Sequence, residues 1–145
     1  MNSYNDRTPM YRSEVREIFF RKFGDSRGNL VSIEGNKSIP FNISRVYYIY
    51  NVNSGTERGF HAHKNLKQVL IALSGIVNVI CEYNGKKQNI ILDSPNKGVF
   101  IDSLVWHSMI FKNKDSILMV IADNYYNEND YIRDYYEFKK IESIK

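Results

Sequence analysis

Cysteine is nearly missing from this chain of 145 residues: the single one, Cys81, excludes any internal disulfide. It lies in the strand-like run 77–83, where core packing is the default for such a thiol and nothing marks it as a nucleophile. Long hydrophobic runs are also absent, so no membrane span and no membrane partner are expected. The first residues, Met1-Asn2-Ser3-Tyr4-Asn5-Asp6-Arg7, lack the apolar core of a secretory signal, and cytoplasmic residence is the expectation. Charge of one sign is not concentrated either. Lys and Arg number 20 against 16 Asp and Glu, a net +4 scattered along the chain. That distribution argues against nucleic acid as a partner and suits a small anionic ligand better. There is no internal repeat, and only the polar N-terminal tail, residues 1–14, is expected to be flexible.

What is present points to a β-rich globular protein. Hydrophobic residues make up 43% and aromatics 14%, with eleven tyrosines and eight phenylalanines, types that favour strands. The length fits one domain, expected over residues 15–145. Short strands separated by turn residues are expected at 15–23, 30–34, 45–52, 59–64, 68–73, 76–83, 88–92, 98–101, 106–111 and 117–122, the pattern of a sandwich or barrel. Asn84-Gly85 predicts a tight hairpin turn, which needs positive φ at both central residues. The stretches 69–73 and 117–121 are apolar on both faces, so they lie between two sheets or against a partner subunit. After Asn129 or Asp130 the aromatics recur at three- and four-residue spacings, which predicts a short amphipathic helix over 131–138.

The chain's three histidines carry its chemistry. In Arg58-Gly59-Phe60-His61-Ala62-His63-Lys64 two of them are two residues apart and so share one face of a strand. Gly55, His61, His63, Gln68 and Gly75 follow the spacing of the first cupin motif, with glutamine where that motif has glutamate. The segment from Gly98 to His107 resembles the second motif, with Asp102 and Leu104 in place of its usual proline and glycine. The resemblance implies an all-β cupin barrel, here with a short C-terminal helix. Three histidines can bind a metal, but the neutral amide of Gln68 is a poor ligand, so no metal is expected.

Further words extend the likeness: Asp25-Ser26-Arg27-Gly28, Ile39-Pro40-Phe41, Arg45-Val46-Tyr47-Tyr48-Ile49, Leu92-Asp93-Ser94-Pro95, Val105-Trp106-His107 and Asp123-Asn124-Tyr125-Tyr126. Together they resemble the nucleotide-sugar 3,4-ketoisomerases, in particular the branch acting on dTDP-4-keto-6-deoxyglucose. That family implies a cofactor-free isomerase, commonly a homodimer that exchanges N-terminal strands, which supplies the keto sugar for 3-amino-3,6-dideoxyhexoses of surface polysaccharide.

The chemistry can be argued apart from the family. Moving a carbonyl from C4 to C3 needs a base for the C3 proton and a group that exchanges protons with the two oxygens, and the substrate ketone is its own electron sink. Histidine suits both tasks near neutral pH. His63 is assigned as the carbon base and His61 to the oxygen protons. Tyr48 is expected to face the barrel and donate to the developing enolate oxygen. Arg27, Arg58 and Lys64 are candidates for the diphosphate. Trp106 is either a core residue or a wall of the sugar pocket, and His107 shapes the C4 side. A single base returning the proton to C4 from the face it left predicts a 3-keto-6-deoxygalactose product. Three alternatives stay open: a nucleotide-sugar epimerase, for which no aspartate partner lies within these motifs; a metal-dependent cupin oxygenase; and a non-catalytic sugar-binding cupin.

Overall fold

The computed structural model describes residues 14–144, so the expected tail lies outside the described residues except for Glu14. Strands alternate their side chains, so two sheets with apolar inner faces close on one another. The first sheet orders β1 (Val15–Phe19), β9 (Lys97–Ile101), β6 (Gln68–Ser74), β11 (Ile117–Ala122) and β4 (Arg45–Ile49). The second orders β12 (Tyr131–Ile132), β5 (Glu57–His63), β10 (Trp106–Phe111), β7 (Val77–Tyr83) and β8 (Lys86–Leu92). All the ladders within them are antiparallel. This is the cupin barrel, closed by one short C-terminal helix, α1 (Tyr135–Ser143). Among the described residues no helix is long and apolar enough to cross a membrane.

Between the sheets lie Leu70, Ala72, Val99, Ile101, Leu118 and Val120 from one side and Val77, Val79, Cys81, Ile90, Leu92 and Phe111 from the other, all buried. Each valine, leucine, isoleucine and phenylalanine among them is worth about 1.5–3 kcal/mol in removed apolar surface, enough to fix the strand register. The outer face of β6 is apolar for a different reason. Val69 and Ile71 pack under Phe20, Ile39 and Phe41, so the chain's own loop covers that face and no partner is needed for it. Asn84 and Gly85 take φ 51° and 71°, and the β7–β8 ladder runs from Val77–Leu92 to Tyr83–Lys86 around them.

Two segments depart from the sequence expectation. The stretch 15–23 breaks after Phe19, and β2 (Lys22–Asp25) pairs with β3 (Gly28–Val31) in a separate exposed hairpin. The helix expected over 131–138 begins only at Tyr135, with the Asp134 carboxylate accepting from the Glu137 N–H as its cap. Before it, Glu128–Asp130 form a single 3-10 turn and Tyr131–Ile132 add to the edge of β5. The aromatic spacing reads as helical, but the open edge of β5 offers Tyr131 and Ile132 backbone partners that a local pattern does not reveal.

Candidate active site

Strand β5 sets the site. Its ladder with β10 pairs His61 with His107 and Gly59 with Ser108, so Phe60 is an extra residue and the strand bulges there. Gly59 has φ 98°, and a Cβ on it would lie 3.0 Å from the His107 carbonyl oxygen, which only glycine avoids. The bulge changes the alternation: Arg58 pairs with Met109, a core residue, and so shares the inward face with His61 and His63. Without the extra residue, an odd separation would put Arg58 outside.

The three histidine rings converge. Ring centres are 5.0 Å apart for His61 and His63, 4.8 Å for His61 and His107, and 6.0 Å for His63 and His107. His63 Nδ1 lies 2.8 Å from the Asp130 carboxylate, whose other oxygen accepts from the Asn65 N–H at 2.6 Å. An acceptor on Nδ1 fixes the proton there and leaves the lone pair of Nε2 for the site. Burial first, and His107 second, outweigh Asp130 and hold His63 down at about 4, so at neutral pH it is an unprotonated imidazole. His61 is likewise lowered to about 4, chiefly by burial and then by His63, against a hydrogen bond with the Gly59 backbone. His107 is held at about 3 by burial, with Nδ1 donating to the Val105 carbonyl at 3.0 Å.

Tyr131, opposite His63 in the ladder, stands against both rings of the pair, 4.5 Å from His63 and 5.1 Å from His61 between centres. Arg133 lies 4.2 Å over Tyr131 and is tied to Glu128 at 3.0 Å, which steadies the ring. Tyr47 also belongs here. It packs against the barrel core, burial pushes its hydroxyl up to about 12, and Tyr131, Arg45 and Arg58 are close enough to influence it. At neutral pH Tyr47 is therefore a phenol, able to donate. Arg45 crosses the Tyr47 ring at 5.4 Å.

Not every expected residue arrives. Tyr48 points outward, 64% exposed and packed on Tyr50, because strand alternation gives the inward position to Tyr47. Trp106, on the opposite face of β10 from His107, packs against Tyr135 and Phe138 of α1 and is no wall of the histidine site. Arg27 sits at the turn of the exposed hairpin, held by Asp25 at 2.7 Å. Arg58 reaches the histidine face of β5 but is exposed, and Lys64, also exposed, follows directly after β5. The sequence reading missed Asp130, Tyr131 and Tyr47. Asp130, from outside the motifs, supplies the aspartate partner that the motifs themselves do not contain.

The cupin fold raises the question of a metal. His61, His63 and His107 each offer a ligand atom within 4.8 Å of the others. The fourth position is Gln68, whose amide nitrogen lies 3.1 Å from His107 Nε2 and occupies that lone pair. The donor set therefore does not fit a metal ion.

A cupin barrel with two neutral imidazoles side by side, one backed by a carboxylate, holds groups that can exchange protons with a small polar ligand. The family described as FdtA: WxcM-like, C-terminal, matches residues 13–143, and the chain belongs to it. It is 50% identical over 127 residues to TDP-4-oxo-6-deoxy-alpha-D-glucose-3,4-oxoisomerase of Aneurinibacillus thermoaerophilus, covering 88% of this chain and 91% of that one. The crystal structure of QdtA, a sugar 3,4-ketoisomerase from Thermoanaerobacterium thermosaccharolyticum in complex with TDP, superposes with a TM-score of 0.87 at 40% identity over 90% of this chain and 95% of that one. A dTDP-4-dehydrorhamnose 3,5-epimerase from Bacillus anthracis, at 17% identity and a TM-score of 0.72 over 81% of this chain and 77% of that one, shares the fold alone.

Proposed function

We propose that this chain moves the keto group of dTDP-4-keto-6-deoxyglucose from C4 to C3 without a cofactor, giving dTDP-3-keto-6-deoxygalactose. The observation that carries this reading is the His61–His63 pair with Asp130 behind His63. His63 Nε2 takes the C3 proton, the C–H electron pair passes to the C4 carbonyl, and an enediolate forms. Low basicity in the free site is offset as the proton arrives, because Asp130 stabilises the imidazolium on its Nδ1 side. His61 moves the hydroxyl proton from the C3 oxygen to the C4 oxygen side, and the Tyr47 hydroxyl donates to the developing charge. His63 then returns its proton to C4. Carbon C3 is oxidised and C4 reduced, so the electrons balance within the sugar.

Because one rigid strand holds the base, the proton goes back on the lower face it came from, which leaves the new C4 hydroxyl above the ring. His107 lines that end of the pocket. Arg58, with Lys64, is assigned to the diphosphate. Arg27 is assigned there from a second copy: Phe19, Phe23 and Leu30 of the N-terminal strands are exposed, as are Val46 and Tyr48 on β4 and Tyr50 just after it. Such apolar surfaces are commonly covered by association, so a homodimer that exchanges these strands would bring Arg27 to the partner's histidines. Residence in the cytoplasm and a role in supplying 3-amino-3,6-dideoxyhexoses go with a nucleotide-sugar substrate.

The test is incubation with dTDP-4-keto-6-deoxyglucose in deuterium oxide, followed by proton NMR with a 3-aminotransferase present to trap the product. Deuterium at the positions that exchange during isomerisation is expected there, and a parallel incubation in ordinary water is expected to give a trapped product with a small coupling between the C3 and C4 hydrogens. A large trans-diaxial coupling would mean delivery from above. The His–Asp pair also suits a 3,5-epimerase, and loss of the C5 proton would assign that reaction instead.

A further inference from the structure

We propose that Gln68 is a lock that keeps the three-histidine cluster from becoming a metal centre, and that a carboxylate at this position opens it to a divalent transition ion. Three features of the cluster already suit a metal. The ligand nitrogens lie within 4.8 Å of one another. The Nδ1 atoms of His63 and His107 are tied to the Asp130 carboxylate and the Val105 carbonyl, the outer bonds that orient metal-binding imidazoles. Tyr131 packs beside His61 and His63 and limits their rotation.

The fourth feature runs the other way. The Val105 carbonyl only accepts, so His107 carries its proton on Nδ1. The amide nitrogen of Gln68 only donates, so at 3.1 Å it consumes the lone pair of His107 Nε2. Gln68 and His107 are each 2% exposed, and water cannot take over either half of that bond. An incoming cation would have to break it, strand a buried N–H2 group and face the positive end of its dipole. Lacking an oxygen ligand is thus only half of the obstacle. The other half is the occupied nitrogen. Glutamate at 68 would reverse both, since it accepts, carries negative charge and supplies a hard ligand atom.

The full chain, cleared of metal by chelator and dialysis, is titrated with Co2+ and followed by its visible d–d absorption and by calorimetry. Gln68→Glu is expected to bind one Co2+ per chain about 100-fold more tightly than wild type, and adding His107→Asn to it should remove most of that gain. Gln68→Leu separates the two halves of the obstacle, because it frees the His107 lone pair without supplying a ligand. It is expected to bind about tenfold more tightly than wild type. Circular dichroism confirms the fold of each variant, and the leucine variant decides the matter if the glutamate variant does not fold. Wild-type binding as tight as that of Gln68→Glu, or Gln68→Leu binding no tighter than wild type, overturns the proposal. The titration uses no sugar substrate, so its failure leaves the isomerase reading intact.

Discussion

One end of the barrel interior is packed by volume and the other is held by direction. Around Val77, Val79, Leu92, Phe111 and Leu118 only shape and apolar area matter, and all five are buried without a polar atom in their side chains. Around His61, His63, His107 and Gln68 the rings are aimed by named bonds to Asp130, Val105 and one another. The apolar end loses stability when atoms are removed, whereas the polar end loses a proton path when a single acceptor moves. The same sheets support both, so stability and chemistry should separate under mutation.

The strongest way to break that comparison is His63→Asn. Asparagine keeps a hydrogen-bonding group but no base, so C3 proton exchange should fall by about 1,000-fold, while nucleotide-sugar affinity and melting temperature stay near wild type. Normal exchange would remove His63 from the mechanism, and unfolding would put the polar end on the same footing as the apolar one. The mirror experiment is Leu118→Ala. It should cost about 2–5 kcal/mol in urea unfolding and leave kcat at 25 °C unchanged, as measured by the same exchange assay.

Asp130→Asn sharpens the polar end. The carboxylate raises the His63 pKa against the burial that lowers it to about 4, so its removal lowers that pKa further. Since neutral His63 is the base, activity is lost as pH falls through the His63 pKa. The acid limb of kcat/KM should therefore move to lower pH in the variant, with turnover about 10- to 100-fold slower because the imidazolium loses its partner. An unmoved acid limb would mean that Asp130 only props the loop. The smallest effect is expected outside the barrel: Tyr48→Phe should change turnover less than about twofold, against about tenfold or more for Tyr47→Phe. A larger loss in Tyr48→Phe would show that the outer face of β4 reaches a site after all.

The strand pattern, the Asn84-Gly85 turn and the spacing of His61, His63 and His107 were readable because each is a local or fixed-offset signal. What escaped depends on contacts distant in sequence. The stretch 45–52 is aromatic and apolar on both faces, so nothing local chooses between Tyr47 and Tyr48; pairing with β11 does. Arg58 shares the histidine face only because Phe60 is an extra residue, a shift of parity the alternation rule misses. Tyr131 lay inside a stretch whose aromatic spacing imitated a helix, with Asp130 a candidate for its cap, and the open edge of β5 draws Tyr131 out of it. Leu104, at the place of the second motif's glycine, shows the reverse. It keeps the left-handed backbone, φ 59°, that the glycine would supply, and its side chain is buried with Ala62, Ile132 and Phe138. Burying a leucine is worth about 1.5–3 kcal/mol, and the left-handed conformation costs about 1–2 kcal/mol, so the exchange is sustainable.

Cys81 pairs with His107 across β7 and β10, and its thiol is wholly buried, with burial pushing it up to about 12. The chain thus carries a built-in clock. A thiol reagent in solution finds no thiolate to attack until the packing around β7 opens, so the rate of alkylation counts openings of the barrel core beside the strand that carries His107. Because this is the chain's sole sulfhydryl, every labelled molecule reports that event, and a ligand that slows labelling does so by holding the barrel shut.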